Sequence, residues 1–176
     1  MKNIFLFLAL SSTILFTSCE GDPGPPGLDG TSFLGQVFEV SPNFSYDDYP
    51  ANIYFSPVYS YPFDVFESDV VLAYRLSGQD TTVNPPADVW TQLPQNVFYQ
   101  DGTGDTFQYN FNHTFVSVQF TIEGNFDLTN IAPEDVTNQI FRIAVVPAEF
   151  ARTNPSMKDV LEMMQIENSQ IEKIEL

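Results

Sequence analysis

The stretch that decides the fold is Phe107-Gln108-Tyr109-Asn110-Phe111-Asn112-His113-Thr114-Phe115-Val116-Ser117-Val118-Gln119-Phe120-Thr121-Ile122. Its aromatic residues occupy odd positions up to Phe111, whereas its apolar residues occupy even positions from Val116 onward. Successive side chains of a strand point to opposite faces, so the inward-facing set cannot change parity within one regular strand. Asn112-His113-Thr114 therefore predicts a turn or a bulge, and we favour a hairpin.

Short apolar runs separated by turn residues continue on both sides of this stretch. They predict strands at Gln36–Val40, Asn52–Phe55, Asp69–Leu76, Val89–Leu93, Asn96–Gln100, Thr106–Phe111, Phe115–Glu123 and Gln139–Val146. The run from Asp69 to Leu76 is apolar on one face and largely apolar on the other, which predicts a central strand that is covered on both sides. The prolines between the runs confine their segments to edges and loops; they are Pro42, Pro50, Pro57, Pro62, Pro85 and Pro86.

A helix is predicted only near the end of the chain. Ser156 is placed as its N-cap and Asp159 as the third helical residue, and an apolar stripe continues to about Gln165. The pattern of residues 170–176 leaves open an edge strand or a continuing helix. The predicted fold for residues 35–176 is therefore mainly β, an antiparallel β-sandwich with one short C-terminal helix.

Residues 1–18 have the layout of an export signal. Lys2 gives a positive start, Ile4 to Leu10 form an apolar stretch, and small residues follow up to Ser18. The apolar stretch is too short to span a bilayer as a helix. We expect cleavage before Cys19.

Cys19 is the only cysteine of the chain, and Phe16-Thr17-Ser18-Cys19 resembles the lipobox of bacterial lipoproteins. The formal net charge of −17 excludes attraction to nucleic acid or to anionic lipid head groups. Several acyl chains on Cys19, at about 0.8 kcal/mol per buried CH₂, would hold such a polyanion at a membrane. The alternative is an incidental cysteine in an ordinary signal peptide.

Four triplets with glycine at every third position follow, from Gly21 to Ser32. Collagen has this period because only glycine fits at the axis of its triple helix. We interpret residues 19–34 as the lipidated cysteine and a single-stranded spacer, in which the twelve residues of the triplets reach about 37 Å when extended. The alternative is the seed of a homotrimer.

The whole pattern resembles a family of collagen-like lipoproteins from flavobacteria. The resemblance is carried by Ser18-Cys19-Glu20-Gly21 with the glycine triplets, and by Gly35–Val40, Asp69–Leu72, Val89–Gln95, Phe107–Phe111 and Ile140–Pro147. Acidic residues directly after the cysteine also resemble the surface-export signals of Bacteroidota-type lipoproteins. The resemblance implies an outer membrane lipoprotein, either periplasmic or surface-exposed, and it implies no activity.

Few residues are suited to catalysis. His113 is the only histidine, and we interpret it as a turn or surface residue. Asp101 and Asp105 flank a glycine-rich loop; a hairpin turn explains them, and Ca²⁺ binding is the alternative. Five further aromatic residues are interpreted as core packing, and the alternative is an aromatic platform for sugar or peptide; they are Trp90, Tyr54, Tyr59, Tyr61 and Tyr99.

Three functions remain open from the sequence. The first is a non-enzymatic, lipid-anchored envelope protein for interaction, adhesion or structure, and we favour it because nucleophile–base pairs are nearly absent. The second is a glycan-binding lipoprotein of a nutrient-uptake system, which needs exposed aromatic residues. The third is a small envelope hydrolase, which needs paired carboxylates in a cleft. We expect no cofactor.

Overall fold

The computed structural model describes residues 35–174. The predicted signal peptide, Cys19 and the glycine triplets lie outside the described residues. In chain order the strands are β1 (Gln36–Val40), β2 (Ser45–Asp47), β3 (Ile53–Phe55), β4 (Tyr59–Ser60), β5 (Asp69–Asp80), β6 (Ala87–Gln92), β7 (Gln95–Phe98), β8 (Thr106–His113), β9 (Ser117–Gly124), β10 (Phe141–Pro147) and β11 (Glu172–Ile174).

The strands form two sheets packed face to face, as the alternating pattern predicts. Sheet I has the order β11-β1-β10-β5-β6, and sheet II has the order β2-β3-β9-β8-β7 with β4 beside β9. Every pair is antiparallel except β1 with β11, which is parallel. The predicted mainly β sandwich is confirmed.

The hairpin predicted from the change of parity is formed by β8 and β9. Tyr109 lies opposite Ile122 and Phe111 opposite Phe120, so both inward sets meet on one face. The turn occupies residues 114–116, two positions later than predicted, because His113 still pairs with Val118. Thr114 closes the turn by donating its N–H to the Ser117 carbonyl at 2.8 Å.

Sheet I is buried on both faces. Val71 and Ala73 of β5 belong to the inner core between the sheets, whereas Leu72 and Tyr74 belong to an outer core beneath the C-terminal helix. The prediction that this strand is central and covered on both sides is therefore confirmed. In the inner core, the Phe120 and Phe141 rings stack across the two sheets with centroids 4.3 Å apart.

The proline-rich segment contributes two short strands that both pair with β9. The break between β3 and β4 is bridged by Ser56, which is fully buried. Its N–H donates to the Phe120 carbonyl at 2.9 Å, and its Oγ accepts the Phe120 N–H at 2.9 Å. At the break, the Ser56 hydroxyl thus accepts the Phe120 N–H in place of a backbone carbonyl. Pro57 lies outside the strands, as predicted.

Three α-helices lie in the described part of the chain. α1 (Pro133–Val136) and α2 (Ala148–Ala151) are single turns that the sequence pattern did not predict. α3 (Met157–Met164) is the predicted C-terminal helix, and Ser156 and Asp159 form the predicted capping box. Among residues 35–174, no helix has the length and hydropathy needed to cross a membrane.

α3 packs on the outer face of sheet I, close to the point where the chain enters the domain. Met157 and Val160 are buried against that face. The Tyr74 hydroxyl donates to the Pro155 carbonyl at 2.6 Å, just before the helix. Gly35 lies against the other end of the helix, where a Cβ would collide with the Met164 thioether.

Candidate functional site

A cleft of about 820 Å³ opens on the outer face of sheet I, beside α3. We call it the Trp90 cleft. Trp90 and Arg142 line it from the sheet, Pro85 and Pro86 from the loop before β6, and α3 with the segment after it from the opposite side. This part of the outer face is left open because α3 covers only the neighbouring apolar residues.

Strand register brings the polar residues of the cleft together. Glu39 lies opposite Arg142, Arg142 opposite Tyr74, and Tyr74 opposite Gln92, so one row of side chains crosses four strands. Trp90 lies two residues before Gln92 on β6 and therefore shares its face. The outer face thus carries a charged pair at its centre and an indole near its edge.

Arg142 is the centre of a buried network. Its side chain is 5% exposed and that of Glu39 8% exposed. Nε and Nη2 both lie 2.9 Å from Glu39 Oε1, and Nη1 donates to Asn168 Oδ1 at 2.8 Å. A buried guanidinium is stable only when its charge is paired and its N–H groups form hydrogen bonds, and Glu39 and Asn168 provide both. The network consequently ties β1, β10 and the segment after α3 together.

The same guanidinium fixes the position of Trp90. Its central carbon lies 4.0 Å from the centre of the indole ring, a cation–π contact. Such contacts contribute about 2 kcal/mol when they are desolvated. Because Arg142 is held by Glu39 and Asn168, the indole is held as well. The cleft therefore presents a preorganised aromatic residue.

The rim of the cleft is polar. Asp88 precedes Trp90 on β6 and accepts from the Gln79 side chain at 3.0 Å. Glu162 and Lys158 of α3 form an exposed pair at 3.6 Å, and Glu167 follows the helix. An aromatic residue beside a small number of polar groups is typical of a ligand-binding site.

The four candidate tyrosines belong to the inner core or pack against it, as the favoured interpretation predicts, and they form no common platform with Trp90. Tyr59 is 2% exposed and belongs to the inner core, so its inclusion in a binding platform is wrong. Tyr61 packs between the sheets against Phe38 with centroids 6.0 Å apart, and burial raises its pKa to about 12. Tyr54 packs against Tyr46 at the edge of sheet II, with the two rings tilted by 43°.

Tyr99 also lies away from Trp90. Its hydroxyl donates to Asp135 at 2.9 Å and accepts the Ala132 N–H at 3.1 Å, which fixes the loop around α1. Burial raises its pKa. Trp90 alone, of the five predicted aromatic residues, lines the cleft.

Asp101 and Asp105 lie in the loop between β7 and β8, as predicted. Asp101 Oδ1 accepts from the Thr103 Oγ at 2.7 Å and from the Thr103 N–H at 3.0 Å, and these bonds lower the pKa of Asp101. Gly102 and Gly104 have φ of +84° and +82°, which favours glycine. The loop is therefore a hairpin connection whose first carboxylate is used by the turn itself.

Residues 35–174 contain no group of three or more His, Cys, Asp or Glu side chains arranged to hold a metal ion. His113 is exposed at the end of β8, where its ring stacks on Phe111 with centroids 5.8 Å apart. This agrees with its interpretation as a surface residue.

Sequence reasoning missed Arg142, the residue that organises the cleft. One signal was present: a single arginine interrupts the apolar run Phe141-Arg142-Ile143-Ala144-Val145-Val146. A charge inside a buried strand needs a partner, which predicts a polar network. Its partner Glu39 occupies the equivalent position in the apolar run of β1, but only the register shows that the two strands are neighbours.

Comparisons of this chain with protein-family models, with curated proteins and with solved structures found no match.

Proposed function

We propose that this chain is a non-enzymatic, lipid-anchored interaction protein of the outer membrane. The observation that carries the proposal is Cys19, the only cysteine of the chain, directly after an apolar, signal-like segment. With a net charge of −17 the chain has no electrostatic attraction to anionic lipid, so its attachment requires acyl chains.

The Trp90 cleft supports binding as the activity of the anchored domain. Three N–H groups of Arg142 are engaged by Glu39 and Asn168, which suits a supporting role better than proton transfer. The indole is held in place before any ligand arrives, and this lowers the entropic cost of binding.

Replacement of Cys19 tests the anchor. We expect Cys19→Ser to move the protein from the membrane fraction to the soluble fraction, because the acylated sulfur is lost. The matched control is Ser12→Ala, which changes the signal-like segment and keeps Phe16-Thr17-Ser18-Cys19. Mass spectrometry of the purified native protein should find an acylated Cys19 as its first residue; Met1 or a free thiol there contradicts the proposal.

A glycan is the second candidate, as the ligand of the cleft. The specific observation is that an indole lies beside carboxylates. Aromatic rings stack on sugar rings, and carboxylates accept hydrogen bonds from sugar hydroxyl groups. This reading makes the chain a glycan-binding lipoprotein of a nutrient-uptake system.

The glycan candidate is testable because Trp90 is the only tryptophan. Its fluorescence reports on the cleft alone, so titration with glucan, xylan and mannan oligosaccharides should give a saturable change with one of them. In calorimetry, Trp90→Ala should abolish binding, whereas Val89→Ala, a neighbouring exposed position on β6, should retain it. Unchanged emission with every oligosaccharide contradicts this candidate, and cleavage products would favour a hydrolase instead.

A further inference from the structure

Two exposed phenylalanine rings lie at one end of the sandwich. Phe66 is 69% exposed in the loop before β5, and Phe115 is 58% exposed in the turn between β8 and β9. Both line the same small pocket of about 220 Å³. Val116, beside Phe115, is 54% exposed. We call these three side chains the phenylalanine end.

This is the end at which the chain enters the domain. Gln36 pairs with Val145, and Val145 pairs with Val71, so the first residue of β1 is level with the start of β5. The Phe66 loop lies directly before that start. The phenylalanine end therefore lies at the end of the sandwich where β1 begins.

The two loops hold their aromatic tips in place. The Asp69 N–H donates to the Phe66 carbonyl at 2.9 Å, and the Phe66 N–H donates to Asp69 Oδ2 at 3.0 Å. In the other loop, Thr114 Oγ accepts the Val116 N–H at 3.1 Å. Both exposed rings are thus carried by turns that hydrogen bonds hold closed.

We propose that the phenylalanine end inserts into the head-group region of a lipid bilayer. The inference rests on the proposed anchor at Cys19. The sixteen residue steps from Cys19 to Gly35 extend to about 58 Å at most, so the tether keeps the domain near the bilayer. Aromatic side chains are the residues that favour the interface between lipid and water.

The charges at this end select the kind of lipid surface. The loop before β5 carries Asp64 and Glu67, Asp69 starts the strand, and His113 lies beside the other tip. Anionic head groups would be repelled by these carboxylates, so the contact is apolar and suits zwitterionic lipid. Insertion of the rings orients the domain, with the opposite end pointing away from the bilayer.

Bromolipid quenching of single tryptophans tests this contact. The full, acylated protein is reconstituted in phosphatidylcholine vesicles with and without brominated acyl chains, in a Trp90→Phe background. We expect Phe115→Trp and Phe66→Trp to be quenched about two-fold, as side chains inserted 5–10 Å into the boundary should be. The matched control is Phe98→Trp, since Phe98 is 61% exposed and pairs with Thr106 at the other end of β8.

The outcomes separate this inference from the anchor. If the preparation lacks acyl chains on Cys19 and fails to float with vesicles, the proposed function is wrong. If it is acylated and floats, yet position 115 is quenched no more than position 98, only the insertion is wrong. A blue shift at position 115 that depends on protein concentration without lipid would identify a surface between copies of the chain and overturn the inference.

Discussion

At the scale of single residues, the buried tyrosines differ in what their hydroxyls contact. Tyr109 donates to the Asp135 carbonyl at 2.7 Å, and Tyr74 donates to the Pro155 carbonyl at 2.6 Å. The Tyr59 hydroxyl is buried without a hydrogen-bond partner among residues 35–174. A buried polar group that forms no hydrogen bond lowers the free energy of unfolding by about 1–3 kcal/mol.

Phenylalanine at each position tests this difference. We expect Tyr59→Phe to leave the free energy of unfolding unchanged or to raise it by about 1 kcal/mol, because a solvation cost is removed. Tyr109→Phe should lower it by about 1–2 kcal/mol, since the Asp135 carbonyl loses its donor. Urea unfolding measures both, and an equal loss in the two variants would contradict the argument.

At the scale of elements, one turn motif recurs after three strands. Asp80, Asp101 and Asp127 each accept from the hydroxyl and the N–H of a threonine two residues later. These bonds lower the pKa of all three carboxyls. The charged form is therefore favoured in the folded state, and the turns contribute stability that is lost as the pH falls below about 3.8.

Removal of one threonine hydroxyl should shift one titration. We expect Thr103→Val to raise the pKa of Asp101 towards its ordinary value, because the side-chain hydrogen bond is the largest cause of its lowering. Asp127 in the same sample is the internal control and should titrate as before. Carboxyl carbon NMR measures both; an unchanged Asp101 would show that the backbone N–H alone accounts for the shift.

The element scale also separates what the sequence predicts from what it does not. The sequence predicts β8, β9 and α3 closely because their signals are local. The change of parity predicts the two strands, and a serine followed three residues later by an aspartate predicts the start of the helix. β2 and β4 were missed because strands of three and two residues are too short for a period. β11 remained undecided because its pairing with β1, not its own pattern, makes it a strand.

At the scale of the whole molecule, burial of tyrosine controls stability at high pH. Desolvation raises the pKa of Tyr61 and Tyr74 to about 12 and raises that of Tyr109 as well. The neutral form is favoured in the folded state, whereas the unfolded chain ionises near 10. The stability from these groups is thus complete below pH 10 and is lost as the pH rises towards 12.

Alkaline titration should therefore show a cooperative loss of structure. We expect the melting temperature to stay level up to about pH 10 and then to fall. Phenolate absorbance of the buried tyrosines should appear together with the loss of circular dichroism. Full ionisation of every tyrosine in a chain that keeps its native spectrum would contradict the assigned burial.

The Trp90 cleft is formed by residues from distant parts of the chain, which explains why the sequence did not predict it. Trp90 was identified, but its contact is Arg142, which lies across β5, and Arg142 is held by Glu39 from the start of the domain. Residues far apart in sequence share a site only through strand order, and apolar runs of similar pattern do not specify that order.

The position of β1 has a consequence for how the chain is made. This first strand of the domain pairs with β10 on one side and β11 on the other, both more than a hundred residues later. Sheet I therefore stays incomplete until residues 141–174 have been synthesised. For the exported lipoprotein proposed above, such a delay would be useful, because a precursor that folds before it crosses a membrane cannot pass through in an extended form.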